Sequence, residues 1–316
     1  MSGMTIGVDI GGTKVAAGLV DAAGRITHKS RVPMVSTGDG AAGLSCVESA
    51  IQAIFAEVPT ARAAVTGIGI CAPGPLDPTT GVILNPPNVQ CWRDYPLAAE
   101  VERIFAVPAR VDNDANAACL AEARWGAGAG YRNVFFAILG TGIGTGIVFE
   151  GKIYHGRTGS AAEGGHVTID YHGPRCGCGK HGCIEAYASG PNIARRTRER
   201  LSSGEPSAIL QLAGSVDAVR TEHVGEAFRA GDPLAAQILT ETSHLLTIWL
   251  GTIVDILEPD VMVIGGGVAE LMSSFFPAMS AGLKEWAINQ SAGEIPLVLA
   301  RYGSDAGIAG AAALCA

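Results

Sequence analysis

The sequence is short of charge. Only 16% of its 316 residues are Asp, Glu, Lys or Arg, and acids outnumber bases by 30 to 22, for a formal net charge of -8. A chain that wraps a polyanion needs a basic face, so nucleic acid is not an expected partner. The one basic cluster, Arg195, Arg196, Arg198 and Arg200, is broken by Glu199 on a helical stretch and reads as a solvated face. Long hydrophobic runs are missing too. The longest, Leu245 to Leu257, contains Asp255 and falls short of the roughly 20 residues that a membrane span needs. Asp9 and Lys14 interrupt the first apolar run and no basic segment precedes it, so neither a secretory leader nor a membrane partner is expected. Cysteine is too sparse for a disulfide framework, with eight in the chain and three between Cys176 and Cys183. One metal site in a reducing cytoplasm is the simpler reading.

What is present is core material and glycine. Hydrophobic residues make up 48% of the chain, and its length suits two domains or two lobes around a cleft. The 43 glycines are about double the average usage of about 7%. They cluster at strand ends, where tight turns and close ligand approach call for them.

Residues 4–33 read as three short strands with tight turns. A helix follows over 40–57, then a buried strand from Val65 to Cys71 closed by the rigid loop APGPLDP. A helix is expected from Leu97 to Phe105. A strand from Ala109 to Val111 then enters a helix capped by Asp112, Asn113 or Asp114. FFAILGTGIGTGIVFEGKI, Phe135 to Ile153, repeats the strand, glycine turn, strand pattern of IGVDIGGTKVAAGLVDAAGRI. A period of about 130 residues is too long for a solenoid and suits two related lobes. After Gly190 the chain reads as mostly helical to Leu257. VMVIGGGV is then a buried strand entering a helix, IPLVLA a last strand and DAGIAGAAAL a last helix.

The stretch VDIGGTK is neither a Walker loop nor a dinucleotide fingerprint, because both of those open a helix and here a second strand follows. In a hairpin, successive glycine N–H groups form an anion-binding concavity. Thr13 and Lys14 add donors, and Asp9 suits a magnesium ion. A plain hairpin turn would look the same. The second turn, with Thr141, Gly142 and Gly144, and the run Gly265, Gly266, Gly267 before a helix tip the balance to nucleotide binding.

CGCGKHGCIE places Cys176, Cys178 and Cys183 in one short loop. Three thiolates suit zinc and want a fourth partner, for which His166, His172 and His181 are candidates. A disulfide or free core cysteines are the alternatives. With no ligand position left open, the metal would be structural. Asp114, at a helix start after a buried strand, suits either an N-cap or the acceptor of a hydroxyl proton in phosphoryl transfer.

With DIGGTK, APGPLD, NDANAA, GTGIGTGI, SAAEGGH, CGCGKHGCIE and VIGGG in this order, the chain resembles bacterial sugar kinases of the ROK family, and among them the glucokinases. The resemblance implies an α/β, two-lobed, actin-like or hexokinase-like (ribonuclease H-like) ATPase fold with a central cleft. It implies a small lobe of residues 1–112 plus 304–316 and a large lobe of residues 113–303. Asp9, Gly11, Gly12, Thr13 and Lys14 would line the phosphates of ATP and its Mg2+, with Thr141 and Gly142 also on phosphate. Gly265, Gly266 and Gly267 would hold the adenosine. Asp114 would be the general base toward the sugar 6-hydroxyl. Asn88, Asn113, Glu163, His166 and Glu185 would bind the sugar, and His166 would join Cys176, Cys178 and Cys183 around a structural Zn2+. A homodimer is implied, and the final helix would pack on the first lobe.

Two stretches depart from the family pattern. Ala162 stands where a glycine is usual and Gly164 where an aliphatic residue is, and Asn88-Val89-Gln90-Cys91-Trp92 replaces the common Asn-Leu-Pro-Gly-Trp. The expected reaction is hexose phosphorylation, glucose first, with N-acetylmannosamine or N-acetylglucosamine as alternatives and polyphosphate as another donor. The family also contains sugar-sensing repressors with a helix-turn-helix ahead of the first phosphate strand. Here that strand starts by Met4 to Ile6 and the charge is acidic, so neither a repressor nor a non-catalytic sugar-binding module is the first expectation.

Overall fold

The computed structural model describes residues 3–316. Strands β1 (Met4–Ile10), β2 (Lys14–Val20) and β3 (Ile26–Pro33) form an antiparallel meander, followed by helix α1 (Gly40–Glu57), whose N-cap Asp39 accepts from Ala42 N. β4 (Val65–Ala72) pairs parallel with β1, and β5 (Ala109–Asn113) pairs parallel with β4. The resulting order is β3-β2-β1-β4-β5. Between β4 and β5 lies α2 (Leu97–Phe105), and after β5 comes α3 (Asp114–Trp125).

The sequence VTGIGICA explains why β4 is central. A parallel strand covered on both faces reads as a continuous apolar run rather than an alternation. Its Ile68, Ile70 and Cys71 are fully buried.

The N-terminal pattern returns as β6 (Asn133–Leu139), β7 (Ile143–Phe149) and β8 (Lys152–Ile153). The longer helices that follow are α4 (Gly190–Ser202), α5 (Thr221–Arg229) and α6 (Pro233–Leu257). Asp232 caps α6 and Pro233 opens it, the placement in which a missing N–H costs nothing. β9 (Val261–Gly265) enters α7 (Gly267–Met272), β10 (Leu297–Leu299) follows, and α8 (Ala306–Ala313) ends the chain. The second sheet has the order β8-β7-β6-β9-β10. No helix among the described residues is long and apolar enough to cross a membrane.

Two compact units result. One holds residues 3–136, Gly146–Ala162 and Arg301–Ala316; the other holds Ala137–Thr145 and Glu163–Ala300. In the first unit α8 packs on β1, β4 and α3. Its small residues, AGIAGAAA, allow an unusually close approach. A Cβ added at Gly7 would meet the Ile308 carbonyl oxygen, and one added at Gly69 would meet that of Ala311. Neither backbone can yield without lifting the helix off the sheet. Gly69→Ala is therefore expected to cost about 3 kcal/mol by overpacking, read as a lower urea midpoint at unchanged slope.

Candidate active site

In the first unit the expected phosphate turn is a closed hairpin, with Gly11 N donating to Lys14 O at 2.9 Å. Thr13 and Lys14 are exposed at its tip. Gly12 lies against the backbone of Asn88: a Cβ there would stand 3.0 Å from the Asn88 carbonyl oxygen. Asn88 is exposed beside it.

Asp9 lies lower, at the end of β1. The buried Cys71 thiol donates to Asp9 Oδ1 at 3.5 Å and to Gly307 O at 3.3 Å, and Gly307 packs beneath the carboxylate. Burial pushes the Asp9 carboxyl above its ordinary range, against the pull of the Cys71 hydrogen bond, Lys14 and Arg31. Its Oδ2 accepts no hydrogen bond from a described residue. A half-buried carboxylate with a free oxygen suits a hard cation such as Mg2+.

Asp114 opens α3. β5 runs two residues beyond the strand expected from sequence, because its ladder with β4 continues through Ala72 opposite Asn113. The cap is Asn113, whose Oδ1 accepts from Ala115 N at 2.9 Å. Asp114 Oδ1 accepts from the same N–H at 2.8 Å. The Asp114 side chain is solvent-accessible, yet the crowding of protein around it, together with the Asp9 charge, pushes its carboxyl above the usual range. A base of raised pKa is lost as pH falls through that raised value. The acid limb of kcat/KM is therefore expected above the ordinary aspartate value of about 3.9, and a pH–rate profile checks it.

The second unit holds the cysteine loop. One ligand atom from each of His166, Cys176, Cys178 and Cys183 lies within 4.8 Å of every other. His166 Nδ1 is 3.6 Å from Cys176 Sγ, and Cys178 Sγ is 3.7 Å from Cys183 Sγ. A tetrahedral zinc with Zn–S of about 2.3 Å and Zn–N of about 2.0 Å requires edges of about 3.8 and 3.5 Å, so the four residues fit the ion. Burial and the neighbouring thiols push Cys183 up to about 12, and burial raises Cys176 as well. Such crowding of thiols is what a bound cation would relieve. His181 is instead paired with Gly173 O and the His172 ring lies tilted against Tyr171, so neither joins the cluster.

Glu185 stands two residues past Cys183. Its Oε2 accepts from Ile143 N at 2.9 Å, and its Oε1 lies 3.6 Å from Cys176 Sγ. The carboxylate thus links the cysteine loop to the second glycine turn, where Gly142 has room only because it lacks a Cβ: one there would lie 2.7 Å from Glu185 Oε2. Thr141 and Glu163 are exposed. Gly164, after Glu163, donates from N to Thr145 Oγ1 at 2.8 Å and accepts from Trp249 Nε1 at 3.0 Å. Ala162, where a glycine is usual in the family, carries the left-handed φ of 63° that a glycine would adopt without strain.

A cavity of about 760 Å3 opens in the same unit, lined by Thr141, Arg198, Thr221, Glu222, Arg229 and Gly267 among others. Of the three successive glycines, Gly265 ends the buried β9. Gly266 turns at φ 91° against Leu139 O, and Gly267 begins α7 at the cavity wall. Arg198 corrects the reading of its cluster as a solvated face. Arg195, Arg196 and Arg200 pair with Glu199, Glu241 and Glu205 respectively, whereas Arg198 donates to Val219 O at 2.9 Å and lines the cavity.

A family model described as the ROK family matches residues 5–316. The chain belongs to the ROK family. This ROK protein is 35% identical over 318 residues to a glucokinase of Streptomyces coelicolor, covering 99% of this chain and 97% of the relative. It is 32% identical over 313 residues to an N-acetylmannosamine kinase of Escherichia coli O157:H7, covering 98% of this chain and 97% of the relative. A crystal structure of a ROK family glucokinase from Streptomyces griseus, in complex with glucose and AMPPNP, superposes with a TM-score of 0.79 at 36% identity over 99% of both chains. The actin-like, hexokinase-type architecture expected for a ROK protein is therefore the one this chain adopts.

Sequence reasoning read Cys71 as the end of a buried strand, Arg198 as part of a solvated face and Asp112 as a candidate cap, and it did not single out His155. Cys71 sits in an apolar run and looks like core. The other three act through partners distant in the chain, for which no local pattern exists.

Proposed function

We propose that this ROK protein is a hexokinase that transfers the terminal phosphoryl group of ATP to the 6-hydroxyl of glucose. The observation that carries the reading is Asp114: an accessible carboxylate of raised pKa at the first turn of α3, beside the side chain of Asn113 and within the field of Asp9. Whole-length similarity to a glucokinase with glucose and AMPPNP bound supports both substrates.

The chemistry follows from these parts. Asp114 takes the proton of the 6-hydroxyl as that oxygen bonds to phosphorus, and the bond from phosphorus to the ADP oxygen breaks with its electron pair leaving on ADP. In the first unit the Gly12 N–H, the Thr13 hydroxyl and the Lys14 ammonium are the phosphate donors, the Gly11 N–H being spent on closing the hairpin at Lys14 O; in the second unit Thr141 and Gly142 offer the same chemistry. Mg2+ held at Asp9 supplies charge neutralisation when bound. The 760 Å3 cavity at Gly267 takes the adenosine. Asn88, Asn113, Glu163, His166 and Glu185 hold sugar hydroxyls; carboxylates suit vicinal hydroxyls because each oxygen accepts. With Nδ1 of His166 turned to Cys176, its Nε2 is free for the sugar. Zn2+ at His166, Cys176, Cys178 and Cys183 supplies rigidity to that wall when bound.

N-acetylmannosamine is the second reading, because kinases for that sugar stand at comparable coverage. A cytoplasmic location agrees with eight unpaired cysteines, and a homodimer is the assembly we propose. Mass spectrometry and 31P NMR of the product test the reaction. Glucose 6-phosphate is expected; inorganic phosphate alone would contradict it.

A further inference from the structure

The functional reading gives no work to the carboxylate of Asp112, which is 3% exposed and stands one residue before Asn113 and two before Asp114. Both its oxygens are engaged. Oδ1 accepts from Asn113 N at 2.7 Å and Asn116 Nδ2 at 3.1 Å, and Oδ2 meets His155 Nε2 at 2.6 Å. The arrangement is costly. Asn116 is as buried as Asp112, and its Oδ1 has no hydrogen-bond partner among the described residues. A buried carboxylate and an orphaned amide oxygen both oppose folding, and apolar side chains would fill the same space without that penalty. The polar set therefore has a use other than stability.

His155 belongs to the segment after β8. That segment is closed by Tyr154 N donating to Ile147 O at 2.8 Å and Ala161 N donating to His155 O at 3.2 Å, and it turns at Gly156 with φ 67°. The His155 side chain is one-third exposed, and Asp112 is its ion-pair partner. The pair spans 43 residues of chain and joins the end of β5, where α3 begins, to the segment that runs into Ala162 and Glu163.

We propose that Asp112 and His155 are a positioning pair for the transfer reaction. They lock the peptide from Asp112 to Asp114 so that Asn113 Nδ2 and the Asp114 carboxylate are aimed at the hexose hydroxyls. Neither residue touches the reacting atoms. The proposal rests on the hexokinase reading for its substrate, and on the hydrogen bonds for its geometry.

His155→Phe keeps the ring volume and removes the donor; His155→Gln restores a donor. Displacing a base by a fraction of an ångström costs between about tenfold and a hundredfold in rate. In His155→Phe, kcat/KM for glucose is expected to fall by that factor through both kcat and the glucose KM, with the ATP KM within about twofold of wild type. His155→Gln is expected to recover most of the loss, and Asp112→Asn added to His155→Phe to cost little more. A folded His155→Phe with kcat and glucose KM within about twofold of wild type would overturn the pair.

Deuterium uptake in peptides covering residues 110–117 gives a second reading that needs no turnover. Exchange about tenfold faster in His155→Phe and near wild type in His155→Gln is expected, and unchanged exchange in His155→Phe would overturn the proposal. If wild type turns over no hexose while exchange still accelerates, the hexokinase reading fails and the locking role stands. Should His155→Phe not fold, Asp112→Asn is measured in its place with the same two outcomes.

Discussion

Asp114→Asn is expected to keep its fold and lose turnover, with kcat falling by about 10² to 10⁴. The amide cannot accept the hydroxyl proton, whereas it can keep the hydrogen bond from Ala115 N that Asp114 Oδ1 now accepts. The stability sign runs opposite to the activity sign. The folded protein raises the Asp114 pKa, so its contribution is favourable below the unfolded value and is lost as pH rises through the folded one. At neutral pH the ionised carboxylate thus opposes folding. The neutral variant should melt at or above the wild-type temperature, and calorimetry beside steady-state kinetics reads both. A fall in melting temperature together with full turnover would remove Asp114 from the reaction.

Removing the metal is expected to have the next largest effect. About one zinc per chain should be found by elemental analysis, since three thiols and one imidazole fill a tetrahedron and leave no open position. Cys183→Ser takes away a ligand with no exposed surface. It should lower the melting temperature by several degrees and cut kcat/KM for the hexose by about tenfold to a hundredfold, mainly through KM. The link is covalent and short: Glu185 is two residues from Cys183, and Glu163 is three from His166. Its carboxylate contacts carry the same coupling, because Glu185 also holds Ile143 N beside Gly142. ATP binding at the cavity should change less. A Cys183→Ser protein with wild-type stability and no bound metal would show the cluster to have no metal-binding role.

Much of this was legible in the sequence, and for identifiable reasons. The first meander, α1 and the strand from Val65 follow from local pattern, since each run is bounded by a turn or cap and keeps one period. The cysteine loop was legible as a cluster because Cys176, Cys178 and Cys183 lie within a few residues, with glycines between them that let the chain fold tightly. Which histidine joins the thiols was open at the level of residue pattern, because three lie within reach of the loop. Only coordinates show His181 turned to Gly173 O. The cap at Asn113 was ambiguous for the same reason, as Asp112, Asn113 and Asp114 are all competent cap residues. What sequence could not show is what depends on distant partners: Cys71 beneath Asp9, Arg198 turned into the cavity rather than to solvent, and Asp112 held by His155. No periodicity records a contact between residues 43 positions apart.

One measurement tests the central claim most directly: ADP release in a coupled assay with Mg-ATP and, separately, glucose, mannose, N-acetylmannosamine, N-acetylglucosamine and fructose, on metal-loaded protein with Asp114→Asn alongside. The account predicts sugar-dependent ADP release that is greatest with glucose and collapses in the variant. No sugar-dependent release with any of the five, from folded wild type, would contradict it.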